Sequence, residues 1–506
     1  MACLLGIDLG TSSVRAFIMD AGGRELALEG EGYNVDIPRP GCAEQDPEEW
    51  VRKADLVIAR ALAKAGVPAD DVKALSFSGQ MHGMVCIDTN GKPLRPAIIW
   101  QDQRSKESIE KIYAAFTREQ VGNWVQNAVA AGFLLGSLLW VRDNEPDVYA
   151  RTAAVLLPKD YLKFRLSGRV VTDYSDAAGT TALDNVNMRW SKELIEGVGL
   201  DPAKFPECLP SIAPVGTVTP EAAARTGLST ATLVVNGGAD QSMQAIGNGI
   251  VGDGVFASNI GTGGQMSANM AKPLHDPAFR TNTFAHAIPE RWYVMGAVLA
   301  SGASMKWLAR QVLGLDGFSS VDSLASQVPA GSGGLVFLPY LVGERTPHFD
   351  PAARAMFCGL TLGHDRRNML RAVMEGVCFA LRDCLSIILG LGVDCRRLIA
   401  SGGGANSPLW LQIQADVFNR EIHRSASGEQ ACLGAAITAG VGAGVYADIP
   451  AACEKLVAFD PVVYSPNPEN AAIYDDMYEI YKRLYRDNRA SFGQLSAIDE
   501  RTARGV

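Results

Sequence analysis

Residues 4–20 read LLGIDLGTSSVRAFIMD. Residues 4–8 and 14–19 are short apolar runs of strand type, and Gly10-Thr11-Ser12-Ser13 between them is small and rich in hydroxyls. This pattern predicts a hairpin whose tip offers backbone N–H groups and hydroxyls to an anion with no bulky side chain in the way. Asp8 stands at the mouth of that turn. A carboxylate beside a phosphate cradle makes chemical sense if a divalent cation lies between the two.

The same device returns near residue 260. A strand-like run at 256–260 leads into Gly261-Thr262-Gly263-Gly264, and a second run follows at 265–270. Either of these is, alone, an ordinary hairpin. Two of them half a chain apart, one with an acid at its mouth, predict duplicated α/β domains that face a single nucleotide.

The bulk of the chain narrows the function classes. At 506 residues it is long enough for several domains, and 47% hydrophobic with 20% charged residues is a globular composition. A net charge of −9 without a long basic run argues against a nucleic-acid groove. The ten cysteines form no CxxC and the six histidines no HxxxH, so no zinc site is expected and most cysteines read as small buried side chains in a reducing compartment. The longest apolar run, 128–141, is too short for a membrane span, and no basic segment precedes an apolar one at the start. A cytoplasmic protein is expected, with small molecules for partners, a homodimer as its assembly, and no nucleic acid or membrane.

In chain order, a third strand over 24–31 precedes a helix that Asp46 caps and Pro47 starts, with Trp50, Ala54, Val57 and Ala61 at helical spacing. A strand over 72–77 ends at Gln80-Met81-His82-Gly83, and 105–150 read as mostly helical. Residues 195–230 read as an irregular excursion. A strand over 232–236 then meets Gly237-Gly238-Ala239-Asp240-Gln241, and a helix follows over 242–248. In the second half a long helix is expected over 366–390 and a buried strand over 398–400 that ends at Gly402-Gly403-Gly404. Helices over 429–443 and 470–490 close the chain, with a loose polar end from about Gln494. The division expected is 1–249, 250–445 and a C-terminal extension, 446–506, packed on the body. The glycines at 248–254 suit a hinge between the halves.

Four places carry chemistry. Gly403 and Gly404, between a strand and a helix, let the backbone approach a flat or anionic ligand; with the two hairpins they read as a third wall of an ATP site. Asp240 follows a strand on a glycine-lined turn, where a carboxylate either caps the next helix or accepts a proton in phosphoryl transfer to an alcohol. Met81 and His82 end a strand and offer an apolar wall and a polar contact to a small polyol, or else serve structure only. Asp102, in Trp100-Gln101-Asp102-Gln103-Arg104, either binds a hydroxyl or pairs with Arg104.

Taken together, GIDLGTSSVR, SGQMHGMV, IIWQDQR, LLPKDYLKFRLSG, TDYSDAAGT, NGGADQ, NIGTGG, FLPYLVGERTPH, MFCGLTLGHDRRNMLRAVMEG and SGGGANSPLWLQ resemble the FGGY carbohydrate kinases of the actin-like ATPase superfold. The resemblance runs from the first motif to about residue 445, in order and spacing most like the branch that phosphorylates D-xylulose. It implies two actin-like (ribonuclease H-like) α/β domains around an interdomain catalytic cleft, with ATP and Mg2+ as the phosphoryl donor and metal. It implies further that Asp240 is the general base, that Met81 and His82, with Gln241, contact the sugar, and that Asp8 and Asp240 lie by the metal. Thr11, Ser12, Ser13, Gly261, Thr262 and Gly263 match the phosphate loops, and Gly403, Gly404 and Asn406 lie on the adenosine side. Two departures stand out. That branch usually carries Asn where this chain has Gln241, and Pro and Lys before the Leu-Trp of its first signature, where this chain has Gly132-Phe133-Leu134-Leu135-Gly136-Ser137-Leu138-Leu139-Trp140.

The expected activity is ATP-dependent phosphorylation of D-xylulose. Another ketose, an aldonate such as gluconate, or a polyol is the alternative acceptor, kept open by Gln241. A chaperone or filament ATPase of the same superfold would need a peptide-binding or polymerising element, which the sequence does not display. A silent sugar sensor is disfavoured by the intact Asp8, Asp240 and hairpins.

Overall fold

Each hairpin nucleates a sheet built on the same plan. In the first, Cys3–Leu9 runs antiparallel to Ser13–Asp20 and parallel to Val72–Gly79. In the second, Val255–Ile260 runs antiparallel to Gly264–Met270 and parallel to Arg397–Ser401. The first sheet extends through Glu25–Gly32 on one edge and through Leu233–Val235 and Pro214–Thr217 on the other, with Gly238–Ala239 also paired to Val72–Gly79. The second runs Asn282–Ala285, Trp292–Val298, then the hairpin, then Arg397–Ser401 and Ile422–Arg424. The computed structural model describes residues 2–503 apart from 316, 318 and 427.

The helices form where caps and periodicity direct them. Asp46 accepts from the Glu48 N–H at 2.9 Å, Pro47 opens the helix Pro47–Ala65, and Trp50, Ala54, Val57 and Ala61 are buried against the first sheet. Asp365 caps Arg366–Gly390, whose Leu370, Val373, Val377, Leu381 and Cys384 enter the second core. Among the described residues no helix is long and apolar enough to cross a membrane.

Three expectations change. The stretch 195–230 holds the edge strand Pro214–Thr217 and the helix Pro220–Thr226, which Thr219 caps. Its proline and glycine content marks the ends of short elements rather than their absence. The terminal helix runs over Pro468–Ala503, past the expected loose end. It continues because Tyr474, Tyr478, Tyr481, Tyr485 and Phe492 keep one buried stripe, so the polar residues near its end are the solvent face of a helix. Finally, 248–254 is not a lone linker. The helix Gln430–Gly442 returns to the first half and lies on Cys3–Leu9 and Val72–Gly79, and the chain then comes back to the second sheet where Tyr464 bridges Ile422. Small residues make that return possible. A Cβ on Gly434 would lie 2.0 Å from the Met243 carbonyl oxygen, and one on Gly247 would lie 1.9 Å from that of Gln430.

Candidate active site

Strand register places the two candidate acids together. Asp8 pairs with Ser78 on one side of Val72–Gly79, and Gly238 pairs with Ser78 on the other. Asp240 lies two residues beyond Gly238, at the first turn of the helix Asp240–Gly247, where Ala239 and not Asp240 takes the cap position. The Ser78 hydroxyl donates to Asp8 Oδ1 at 2.6 Å. Burial raises the Asp8 carboxyl above its ordinary value, against the pull of Ser78 and of Arg15. Burial, and then the charge of Asp8, push Asp240 up to about 7, against hydrogen bonds from the Gln241 backbone and side chain.

The first hairpin tip is braced from three sides. Gln45 Nε2 donates to the Thr11 carbonyl at 2.7 Å, Trp100 Nε1 to the Thr11 hydroxyl at 2.9 Å, and Tyr33 through its hydroxyl to the Gly10 carbonyl at 2.5 Å. Ser12 is left exposed at the tip, flanked by the partly exposed Thr11 and Ser13. In the second half, the Gly302 N–H donates to the Gly261 carbonyl at 2.9 Å and the Ser301 N–H to the Thr262 carbonyl at 3.1 Å, while Gly263 precedes the strand Gly264–Met270. The turn at Gly402-Gly403-Gly404 packs on this hairpin's feeding strand. Gly402 has φ 77°, and a Cβ there would stand 2.7 Å from the Ile260 carbonyl oxygen and from Asn259 Oδ1. Asn406 accepts from the Arg424 guanidinium at 3.0 Å. The two hairpins and this glycine turn expose backbone N–H groups of the kind that bind anions.

His82 is held in an unusual way. Its backbone has φ 74°, its ring lies flat against Phe133, and its Nδ1 is 2.6 Å from the Gly179 carbonyl oxygen. A carbonyl accepts, so Nδ1 carries the proton. Burial lowers the imidazole to about 4, leaving it neutral, with Nε2 as an acceptor for a ligand hydroxyl. Met81 is buried beside it and touches the Tyr293 hydroxyl through its sulfur at 3.8 Å. Phe284 tilts over His82 at 6.0 Å between ring centroids. Tyr293 and Phe284 come from the second sheet, so Met81 and His82 are flanked by side chains of both halves.

Asp102 departs from its expected sugar contact. It is fully buried, accepting from the Ala43 N–H at 2.7 Å and from the Arg104 guanidinium at 2.8 Å. Its lone pairs are spent on the loop, and the intraloop pairing wins because a buried carboxylate needs its partners close by.

Beneath Met81 and Asp240 lies a buried ionic cluster. Lys159 contacts Asp160 at 2.5 Å, Asp173 at 2.8 Å and Asp176 at 3.3 Å, and Lys163 contacts Asp160 at 2.7 Å, all without solvent exposure. The Asp173 carboxylate also takes the Ser175 hydroxyl at 2.5 Å, and Ser175 Oγ in turn accepts the Ala239 N–H at 3.0 Å. The residue before Asp240 is thereby tied to the cluster. Two ammonium groups face three carboxyls, and burial drives Asp176 well above the ordinary carboxylate range, which balances the charges. Sequence reading passed over this cluster, as it did Tyr293, Phe284, Ser78 and Arg345. The available signal was the density of ionisable residues in LLPKDYLKFRLSG and TDYSDAAGT, two otherwise apolar stretches.

Two carboxyls with raised proton affinity, side by side, fit a hard divalent cation that takes its remaining ligands from water and phosphate. Among the described residues no three His, Cys, Asp or Glu side chains gather into a fuller metal cage.

Comparison with known proteins follows this geometry. Residues 3–247 match the model of the N-terminal domain of the FGGY family of carbohydrate kinases, and residues 256–443 match that of its C-terminal domain. The xylulose kinase of Lactococcus lactis is 36% identical over 502 residues, covering 99% of this chain and all of that protein. The gluconokinase of Bacillus subtilis is 29% identical over 517 residues, covering 97% of each. The crystal structure of xylulose kinase from Rhodospirillum rubrum superposes with a TM-score of 0.91 at 30% identity, over 97% of this chain and 99% of that one.

Proposed function

The chain belongs to the FGGY family of carbohydrate kinases, and from that premise we propose that it phosphorylates D-xylulose to D-xylulose 5-phosphate at the expense of ATP, with Asp240 as general base. The observation that carries this reading is the sheet register that sets Asp8 and Gly238 on either side of Ser78 and so brings Asp240 beside Asp8, with Tyr293 linking it to Met81; burial and the charge of Asp8 push the Asp240 carboxyl up to about 7. The identity with the Lactococcus lactis xylulose kinase supports the acceptor.

In this mechanism His82 Nε2 accepts from a hydroxyl of the sugar, and Met81 with Phe284 covers its carbon face. Asp240 takes the proton of the 5-hydroxyl as that oxygen attacks the γ-phosphorus, and the bond to the β,γ-bridging oxygen breaks to release ADP. The hairpin tips around Thr11, Ser12 and Ser13 and around Gly261, Thr262 and Gly263 hold the phosphates through N–H and hydroxyl donors. The turn at Gly403, Gly404 and Asn406 borders the adenosine. Mg2+, held by Asp8 and Asp240, would neutralise charge on the phosphates. In the proposed division, residues 1–249 supply the base and most sugar contacts, 250–445 most nucleotide contacts, and 446–506 pack as an extension.

A second acceptor reading rests on Gln241. Its side chain donates to Asp240 and so stands where it can meet the acceptor. The likeness to a gluconokinase keeps an aldonate in view. An ADP-release assay across ketoses, aldonates and polyols decides between them. D-Xylulose should give the highest kcat/KM; a higher value for gluconate or ribulose would replace the reading. Gln241→Asn should raise the preference for D-xylulose, and an unchanged ratio would remove Gln241 from the sugar pocket.

A further inference from the structure

Among the described residues Arg345 is a cation without an anion. It sits in the loop Gly343-Glu344-Arg345-Thr346-Pro347, partly exposed, and among the described residues no carboxylate or carbonyl takes its guanidinium. Its neighbours are firmly held. Glu344 is buried and accepts from the Leu299 N–H at 3.0 Å and from the Arg345 N–H at 2.6 Å. The Thr346 N–H donates to the Ala297 carbonyl at 3.0 Å, and the Ala297 N–H donates to the Thr346 hydroxyl at 3.1 Å.

These bonds fix where the loop lies. Ala297 and Leu299 flank Val298, which pairs with Gly264 at the base of the second hairpin. From that anchor the guanidinium reaches toward the first half, where its charge acts on the His82 imidazole. Arg345 therefore stands between the phosphate hairpin of one half and the sugar-side histidine of the other. Burial also weakens its hold on its proton, and the carboxylate of Glu344 is turned to backbone N–H groups instead of to the guanidinium. A guanidinium partly withdrawn from water and without a partner is costly, and such a cost is retained where a ligand's charge completes the pair. The acids of the cleft, Asp8 and Asp240, cannot neutralise a transferred phosphoryl group; a planar guanidinium with paired donors can.

We infer that Arg345 binds the phosphoryl group in flight and the phosphate of the sugar product, donating to equatorial oxygens that the hairpins leave free. This assignment rests on the kinase reading above. It makes no claim on the acceptor: Arg345 serves the phosphate and is indifferent to the sugar.

Steady-state kinetics of wild type, Arg345→Met and Arg345→Lys test it on whichever acceptor the wild type uses best. Arg345→Met should lose about 10²–10³ in kcat, the usual cost of removing one donor from a developing anion, with KM for acceptor and ATP within about threefold. Arg345→Lys should fall between, since it keeps charge and loses the fork. Added guanidinium ion should restore turnover to a folded Arg345→Met, a rescue that loss of mere packing would not permit. The sugar phosphate product should inhibit both variants at least tenfold more weakly than wild type. A kcat within threefold of wild type, an effect on acceptor KM alone, or loss of turnover without guanidinium rescue overturns the assignment while the kinase reading stands. A wild type inactive on every acceptor overturns the reading, and the assignment with it.

Discussion

The imidazole of His82 and the ring of Phe133 lie face to face, with centroids 3.8 Å apart and planes within 4°. Together with the bond to the Gly179 carbonyl, this stack leaves the imidazole one orientation, with Nε2 as the free acceptor. Phe133 lies in the segment 132–140, one of the two departures from the resembling branch, yet it clamps the residue proposed to recognise the sugar. Phe133→Ala should raise the acceptor KM by about tenfold, on the order of one lost positioning contact, with the KM for ATP unchanged. If acceptor KM does not move, the stack serves stability alone.

Asp240 ties activity to stability with opposite signs. Its carboxyl sits at about 7 in the folded chain against 3.8 for the ordinary group, so between those values the folded state holds a proton the unfolded chain has released. Its contribution therefore favours folding at low pH and is lost as pH rises through about 7. Asp240→Asn should cut kcat by about 10²–10⁴. It should also raise Tm at pH 8 in the absence of metal and nucleotide, while leaving Tm near pH 4 unchanged. For the wild type, kcat/KM should climb with pH toward a plateau above about 7, an inflection that His82, neutral down to about 4, does not supply. Full turnover in Asp240→Asn would remove the carboxylate from the mechanism; equal Tm values at pH 8 would mean that it carries no strain.

The ionic cluster under the site should be intolerant of single deletions. Lys159→Met leaves Asp160, Asp173 and Asp176 without their shared cation. Breaking a buried pair on one side typically costs about 3–5 kcal/mol. The expected result is a large fall in the denaturant midpoint, or an insoluble chain, whereas Lys159→Met with Asp173→Asn should recover part of the loss. A midpoint unchanged in Lys159→Met would show the cluster to be far less coupled than its distances imply.

The hairpins, the sheets' central strands and the long helix at Arg366–Gly390 were legible because each is local. Apolar runs, glycine tips and a capping acid specify them within about twenty residues. What escaped reading is non-local. Nothing near Gln430 announces that its helix lies on Cys3–Leu9; only the glycines at 434 and 247 hint at it, and their partners are almost two hundred positions apart. Asp102 was ambiguous because the rival of Arg104 for its carboxylate was a substrate the sequence does not contain. Asp8 and Asp240 were found from chemistry, but that Asp8 and Gly238, two residues before Asp240, flank Ser78 follows only from sheet register.

The same non-local return alters how the two halves can move. Gly249 lies under Phe459, and Phe459 bridges to Ser425, so the segments that cross between the halves are bundled together. Rotation about that bundle is the motion the topology leaves open. On the far side, the halves are latched. Asn127 donates to the Thr283 carbonyl at 2.6 Å and accepts the Thr283 N–H at 2.8 Å, Asn185 donates to the same carbonyl at 3.1 Å, and Trp292 donates to the Asn185 carbonyl at 2.8 Å. The latch borders Phe284 and Tyr293, so its opening should admit a sugar to His82 and its closing should exclude water from Asp240. Asn127→Ala, which removes two of these latch bonds, should shift the ligand-free population toward an open form. Small-angle scattering should then give a radius of gyration above that of the wild type, against about 23 Å for a compact chain of this length. Acceptor and a non-hydrolysable ATP analogue together should restore the wild-type value. The acceptor KM should rise with little change in kcat, since the closed state, once reached, is the same. Scattering curves that coincide for wild type and Asn127→Ala in every ligand state would mean that the latch does not govern the cleft, and that the closure must be sought elsewhere in the molecule or abandoned.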